Sequence, residues 1–171
     1  WKEVTFACVD EGEFELAKET GLQILIAGDE VSELVFYYEK NGHTDQVVEL
    51  LEAGLKLENV HVGMFTELAV LYSKYKPEKL YDFLKQYIDK IQCQKVIPTV
   101  RMNQQWKELV FLYVREDQVK AIETMIQYPD ECFDHQLMKQ LLVDVPRIEM
   151  IYRAESYYLA ERPDKVNEML I

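Results

Sequence analysis

No apolar run in this chain is long enough to cross a bilayer. The purest, Ile24 to Ala27, stops far short of the roughly 20 residues needed, so direct membrane insertion is not expected. Dense clusters of Lys or Arg are missing as well. Nineteen basic residues face 31 acidic ones, a formal charge of −12 that would repel a phosphate backbone, and nucleic acid is not an expected partner. The six glycines include no pair at P-loop or dinucleotide spacing, which excludes the common phosphate cradles. Cysteine is scarce: Cys8, Cys93 and Cys132 are odd in number and far apart, which suits a reducing, cytosolic compartment better than a disulfide framework. What the chain does have is core material. Its 171 residues are 49% hydrophobic and 12% aromatic, which argues against disorder.

The apolar pattern is helical almost throughout. Met64, Phe65, Leu68, Leu71, Tyr72 and Tyr75 share one face of a helix, and Leu80, Phe83, Leu84, Tyr87, Ile88 and Ile91 share another. Pro77 between them fits a first helical turn, where its missing N–H costs nothing. Pro98, Pro129, Pro146 and Pro163 also read as punctuation between helices. Gly21 and Gly42 are expected as helix C-caps, Asp29 and Thr44 as N-caps. The pattern predicts helices near 2–10, 12–20, 29–41, 44–56, 61–75, 77–91, 98–104, 106–114, 117–127, 134–144, 146–160 and 163–171. Only GLQILIA, Gly21 to Ala27, could be a strand; with no second strand to pair with, helix or linker is favoured.

Segments repeat. YSKYKPEKLYDFL at Tyr72 returns as YLAERPDKVNEML at Tyr158; WKEVTF at Trp1 returns as WKELVF at Trp106; ELVFYY at Glu33 returns as ELVFLY at Glu108 and ELAVLY at Glu67. A helical hairpin of roughly 30 to 40 residues, stacked on its neighbours, explains these echoes. The expected fold is all-α: an α-solenoid, a right-handed superhelix of stacked hairpins with about ten to twelve short helices. Residues 1–171 are read as one segment of a longer array, since both ends fall inside patterned stretches.

Catalytic and metal chemistry find little support. Cys132 and His135 form a lone C-x-x-H, short of the four ligands of a structural zinc, and Asp134 reads better as a helix cap. The same segment has no oxyanion-hole element to serve a Cys/His nucleophile pair. The acidic run Asp10 to Glu15 lacks the alternating ligands of a calcium loop. No catalytic residue, cofactor site or metal site is assigned. Trp1, Phe6, Tyr38, Phe65, Tyr72, Trp106, Tyr113 and Tyr158 are expected in the repeat core. Lys76 and Arg162 occupy the same repeat position, each before a proline. A cation there suits the preceding helix's C-terminus, and it could also form a basic rung for an acidic partner.

The blocks WKEVTFACVD, GMFTELAVLYSKYKPEKL, WKELVFLY, TMIQYP and IYRAESYYLAERPDKVNEML resemble the clathrin heavy-chain family, and the resemblance runs the whole length. It implies a proximal-leg segment of a structural coat protein, not an enzyme, on the cytosolic face of coated pits and coated vesicles. The implied partners are other heavy chains, in trimer and lattice, and the acidic clathrin light chain, with Lys76 and Arg162 as candidate contacts. ECFDH and REDQVKA depart from the family's usual turns. The competing class is an α-solenoid adaptor or tether subunit of a vacuolar-sorting type complex, which a groove lined with exposed aromatics would favour.

Overall fold

The computed structural model describes residues 1–145 and 147–169, so Pro146, Leu170 and Ile171, and with them the end of the helix expected over 163–171, lie outside the described residues. Thirteen α-helices follow one another among them: α1 (Lys2–Asp10), α2 (Phe14–Ala27), α3 (Val31–Lys40), α4 (Thr44–Gly54), α5 (Gly63–Tyr75), α6 (Pro77–Tyr87), α7 (Cys93–Met102), α8 (Trp106–Glu116), α9 (Gln118–Gln127), α10 (Pro129–Cys132), α11 (His135–Asp144), α12 (Ile148–Glu161) and α13 (Val166–Met169). Two of these, α10 and α13, are single turns. The described residues contain no strand.

Two compact units result, Trp1–Thr99 and Val100–Ile171, with α7 running across the division. In the first unit α1 pairs with α2, α3 with α4 and α5 with α6, while α1 also lies on α3, α3 on α5 and α2 on α4. Odd helices thus form one layer and even helices a second, the stacking of an α-solenoid. In the second unit α8 pairs with α9, both meet α10, and α9 packs on α11 and α12. No hairpin hides its apolar stripe alone. Leu34, Leu50 and Leu68 are fully buried, and Leu50 of one hairpin packs against Gly21 of the one before it.

Two kinds of turn join the helices, and each follows from its residues. After α1 and α3 the chain makes a Schellman turn: Gly12 (φ +76°) and Gly42 (φ +79°) take the left-handed conformation, and the next amide reaches back to the carbonyls of Cys8 and Tyr38. The α7–α8 turn has the same hydrogen bonds, from Gln104 to Arg101 and Gln105 to Val100, but its left-handed residue is Gln104, φ +56°. A Cβ there costs about 1–2 kcal/mol, partly offset by the entropy glycine loses on folding. Gln104→Gly should therefore raise stability by about 0.5–1 kcal/mol in urea titration, and an unchanged midpoint would show that no strain is held there.

The second kind is a hinge of one extended residue that ends one helix and caps the next: Lys76, Asp117, Tyr128 and Arg162. Three of the four precede a proline, whose ring disfavours the helical conformation at the residue before it. At Asp117, with no proline following, the carboxylate accepts from the Lys120 amide and starts α9 instead. The carbonyls of Tyr72, Tyr113 and Tyr158 each receive the hinge amide. This explains the recurring tyrosine: its ring is buried and its carbonyl closes the helix four residues before the hinge.

Several local expectations need correction. GLQILIA is the C-terminal half of α2, and Gly21 lies inside that helix instead of capping it. Its missing side chain admits α4: a Cβ on Gly21 would stand 2.7 Å from Leu50 Cδ2. Gly28, φ +85°, is the residue that ends α2. Asp29 lies in the turn before Glu30, the N-cap of α3, and Thr44 is the first residue of α4 after His43; neither makes a side-chain cap. Pro98 lies within α7, where it has no N–H to give the preceding turn. Burial of Val96 and Val100 on either side of it offsets a loss of about 3 kcal/mol.

Candidate interaction surface

The side chains of the C-x-x-H segment are occupied inside the structure. The Cys132 thiol is buried and donates to the carbonyls of Tyr128 and Thr124, and burial pushes its pKa up to about 11. His135 spends both ring nitrogens: Nδ1 pairs with the Tyr158 hydroxyl at 2.6 Å and Nε2 with the Glu168 carboxylate at 2.9 Å. Asp134 caps α11 by accepting from the Leu137 amide. Among the described residues no group of three His, Cys, Asp or Glu side chains could hold a metal ion, and no helix is long and apolar enough to cross a membrane.

Lys76 and Arg162 have the same backbone role in different surroundings. Lys76, half-buried at the α5–α6 hinge, lends its charge to Glu52 on α4. Burial alone would raise the Glu52 carboxyl, but Lys79, which donates to Glu52 Oε1 at 2.8 Å, and the Tyr72 hydroxyl hold it below the usual carboxylate range. Arg162, also half-buried, stacks over Phe133 with its guanidinium carbon 4.8 Å from the ring centre. A hydrogen bond with Tyr157 raises its pKa further. Lys76 belongs to the first unit and Arg162 to the second.

The eight aromatics divide by environment. Tyr38, Phe65, Tyr72, Tyr113 and Tyr158 are buried, and burial lifts Tyr38 and Tyr158 to about 12. Phe6 is half-buried and stacks on Tyr37, ring centres 3.8 Å apart; Trp106 stacks in the same way on Tyr128 at 3.6 Å. Trp1 departs from the core expectation. At the N-cap of α1 it is 68% exposed, and among the described residues no ring stacks on it as Tyr128 does on Trp106.

Charged and polar rungs between hairpins escaped the sequence reading. Lys2 bridges Glu30 and Glu33, Ser32 donates to Glu67, and Glu39 accepts from both Lys74 and Tyr75. The last three span 35, 35 and 36 residues, and Lys2 to Glu33 spans 31. In the second unit Arg153 reaches Glu123 across 30. These separations equal the expected repeat length, so pairing opposite charges at that offset would have found them.

Stacked hairpins, laddered side chain to side chain, define an α-helical repeat protein. Residues 22–166 match the family described as Clathrin, the region in clathrin and VPS. The chain is 46% identical over 171 residues to the clathrin heavy chain of Dictyostelium discoideum and 43% to probable clathrin heavy chain 1 of Caenorhabditis elegans; each match covers 99% of this chain and 10% of the relative. Human clathrin heavy chain 2 is 41% identical over 172 residues, covering 100% of this chain and 10% of that protein. This chain belongs to the clathrin heavy-chain repeat family, and it spans about a tenth of the length of the curated relatives it matches.

Proposed function

We propose that this chain is a scaffold segment of a clathrin-type vesicle coat, acting on the cytosolic face of coated pits and vesicles without catalysis. The carrying observation is identity of 40% or more to clathrin heavy chains over essentially the whole chain. In this reading residues 1–171 form one uninterrupted part of the proximal leg. Its apolar interior makes a spine, and its edges meet other heavy chains in trimer and lattice. The light chain, an acidic helical partner, docks where Lys76 and Arg162 mark the hinges. Stacking on Phe133 holds the Arg162 guanidinium in place before binding, which lowers the entropy cost of association.

The test is binding of the light chain from the same organism at two salt concentrations, with Lys76→Glu and Arg162→Glu beside the parent. Expected is salt-sensitive binding, weakened about tenfold in each variant. A well-folded parent that does not bind, or variants that bind equally well, would overturn the light-chain assignment. A second reading, a peptide-recruiting adaptor, has one observation in its favour. A shallow groove between α9 and α12 is lined by Ile126, Tyr157 and Tyr152, the last 64% exposed.

A further inference from the structure

Charge is unevenly distributed along the first unit. Residues 1–73 hold four Lys against fifteen Asp and Glu, whereas residues 74–99 hold six Lys against three acids. In so acidic a chain a lysine has carboxylates to choose from, and Lys2, Lys74 and Lys79 all use them. Lys85, Lys90 and Lys95 do not: each is exposed, and none has a carboxylate partner among the described residues. Two of them rest on aromatic faces instead. The Lys85 ammonium lies 4.4 Å from the centre of the Tyr81 ring and that of Lys90 lies 4.8 Å from Phe65. A ring face orients an ammonium while leaving its outer N–H groups free to donate. Lys95 is in the first turn of α7, where the helix dipole opposes its charge and favours an incoming anion.

We propose that Lys85, Lys90 and Lys95, from the end of α6 to the first turn of α7, form a docking edge for a short acidic segment of a partner polypeptide. Charge complementarity selects the chemistry, and the rest of the unit limits the length. A long polyanion such as RNA would run past these lysines onto the acidic surface of residues 1–73, since screening acts only beyond about 8 Å at physiological salt. An acidic peptide can end where the lysines end. The edge is separate from Lys76 and Arg162; it rests on the binding-scaffold reading above only in assuming that this surface serves a partner.

The test measures anisotropy of a short fluorescein-labelled oligoglutamate peptide titrated with the full chain. Lys85→Glu, Lys90→Glu and Lys95→Glu combined should weaken binding about tenfold, and the milder triple change to Gln about threefold. Both effects should shrink as salt rises. The Lys76→Glu, Arg162→Glu double variant should bind the peptide like the parent. If that variant loses light chain but keeps peptide, the two surfaces are distinct; if light chain binding fails altogether while the peptide result holds, only the earlier reading falls. Equal peptide affinity in the triple variants would overturn the inference. So would binding of single-stranded RNA or phosphatidylserine vesicles in place of the peptide, or a lysine-dependent dimer, which would make a second copy the occupant.

Discussion

Gly28→Ala should lower stability by about 2–5 kcal/mol, a large loss for one added methyl group. Two costs combine. The backbone φ of +85° is reached by an L-residue only at about 1–2 kcal/mol, and the new Cβ would stand 2.3 Å from Cγ and 2.5 Å from Cδ2 of His61. His61 is not free to retreat. Its amide donates to the Leu25 carbonyl at 2.8 Å, and its Nδ1 accepts the Gly63 amide at 3.1 Å, so the loop before α5 is pinned to the end of α2. Adding His61→Ala removes the collision and leaves the backbone cost, so the double variant should recover part of the loss. Urea unfolding followed by far-ultraviolet dichroism reads both. A Gly28→Ala midpoint within about 1 kcal/mol of the parent would mean that the His61 ring has another resting place.

Leu50→Ala should cost about 3 kcal/mol, the transfer of a buried leucine plus the cavity left behind. Leu50 is 1% exposed and fills the space left by the missing side chain of Gly21. The informative experiment is the pair. In the Leu50→Ala background, Gly21→Ala puts a methyl into the vacated space and removes a mid-helix glycine, recovering about 1 kcal/mol. In the parent the same methyl meets Leu50 Cδ2 at 2.7 Å, and its helix-propensity gain is spent on crowding. A coupling energy of about 1 kcal/mol is expected, and strict additivity would show that α2 and α4 do not meet closely at this point.

Both predictions rest on glycines, and glycine marks the boundary of what was legible from residue order. The helix faces were mostly readable because burial repeats with the period of the helix: Leu68, Leu71 and Tyr72 on α5 and Leu80, Phe83 and Leu84 on α6 are all buried, while Tyr75, at the end of the predicted α5 face, is exposed and turns its hydroxyl to Glu39. The repeated blocks were readable because ELVFYY, ELVFLY and ELAVLY place Leu34, Leu109 and Leu68 at the same buried position. Gly21 was misplaced because a glycine that ends a helix and one that admits a neighbouring helix look alike until the neighbour is known. Pro98 failed similarly, since its cost is local and the burial that outweighs it belongs to the whole helix. The two tryptophans share a motif, but among the described residues only Trp106 has a ring to stack on. Of the proposed contacts, the hinge positions of Lys76 and Arg162 were legible from their prolines. The ion-pair rungs were not, because a charged residue fits any solvated face and its partner lies a full repeat away.

The one-residue hinges have a mechanical consequence. With Lys76, Asp117, Tyr128 or Arg162 as the sole link, the angle between two helices is governed by a single φ, ψ pair, and at three of these hinges the next proline removes most of its range. Such a joint has almost no slack. The eight-residue connection from Leu55 to Val62 between α4 and α5 is the softer link, held chiefly by His61. Under tension or bending, elastic strain in the first unit should gather at that loop while the α5–α6 corner keeps its angle, so stiffness along the chain is graded joint by joint.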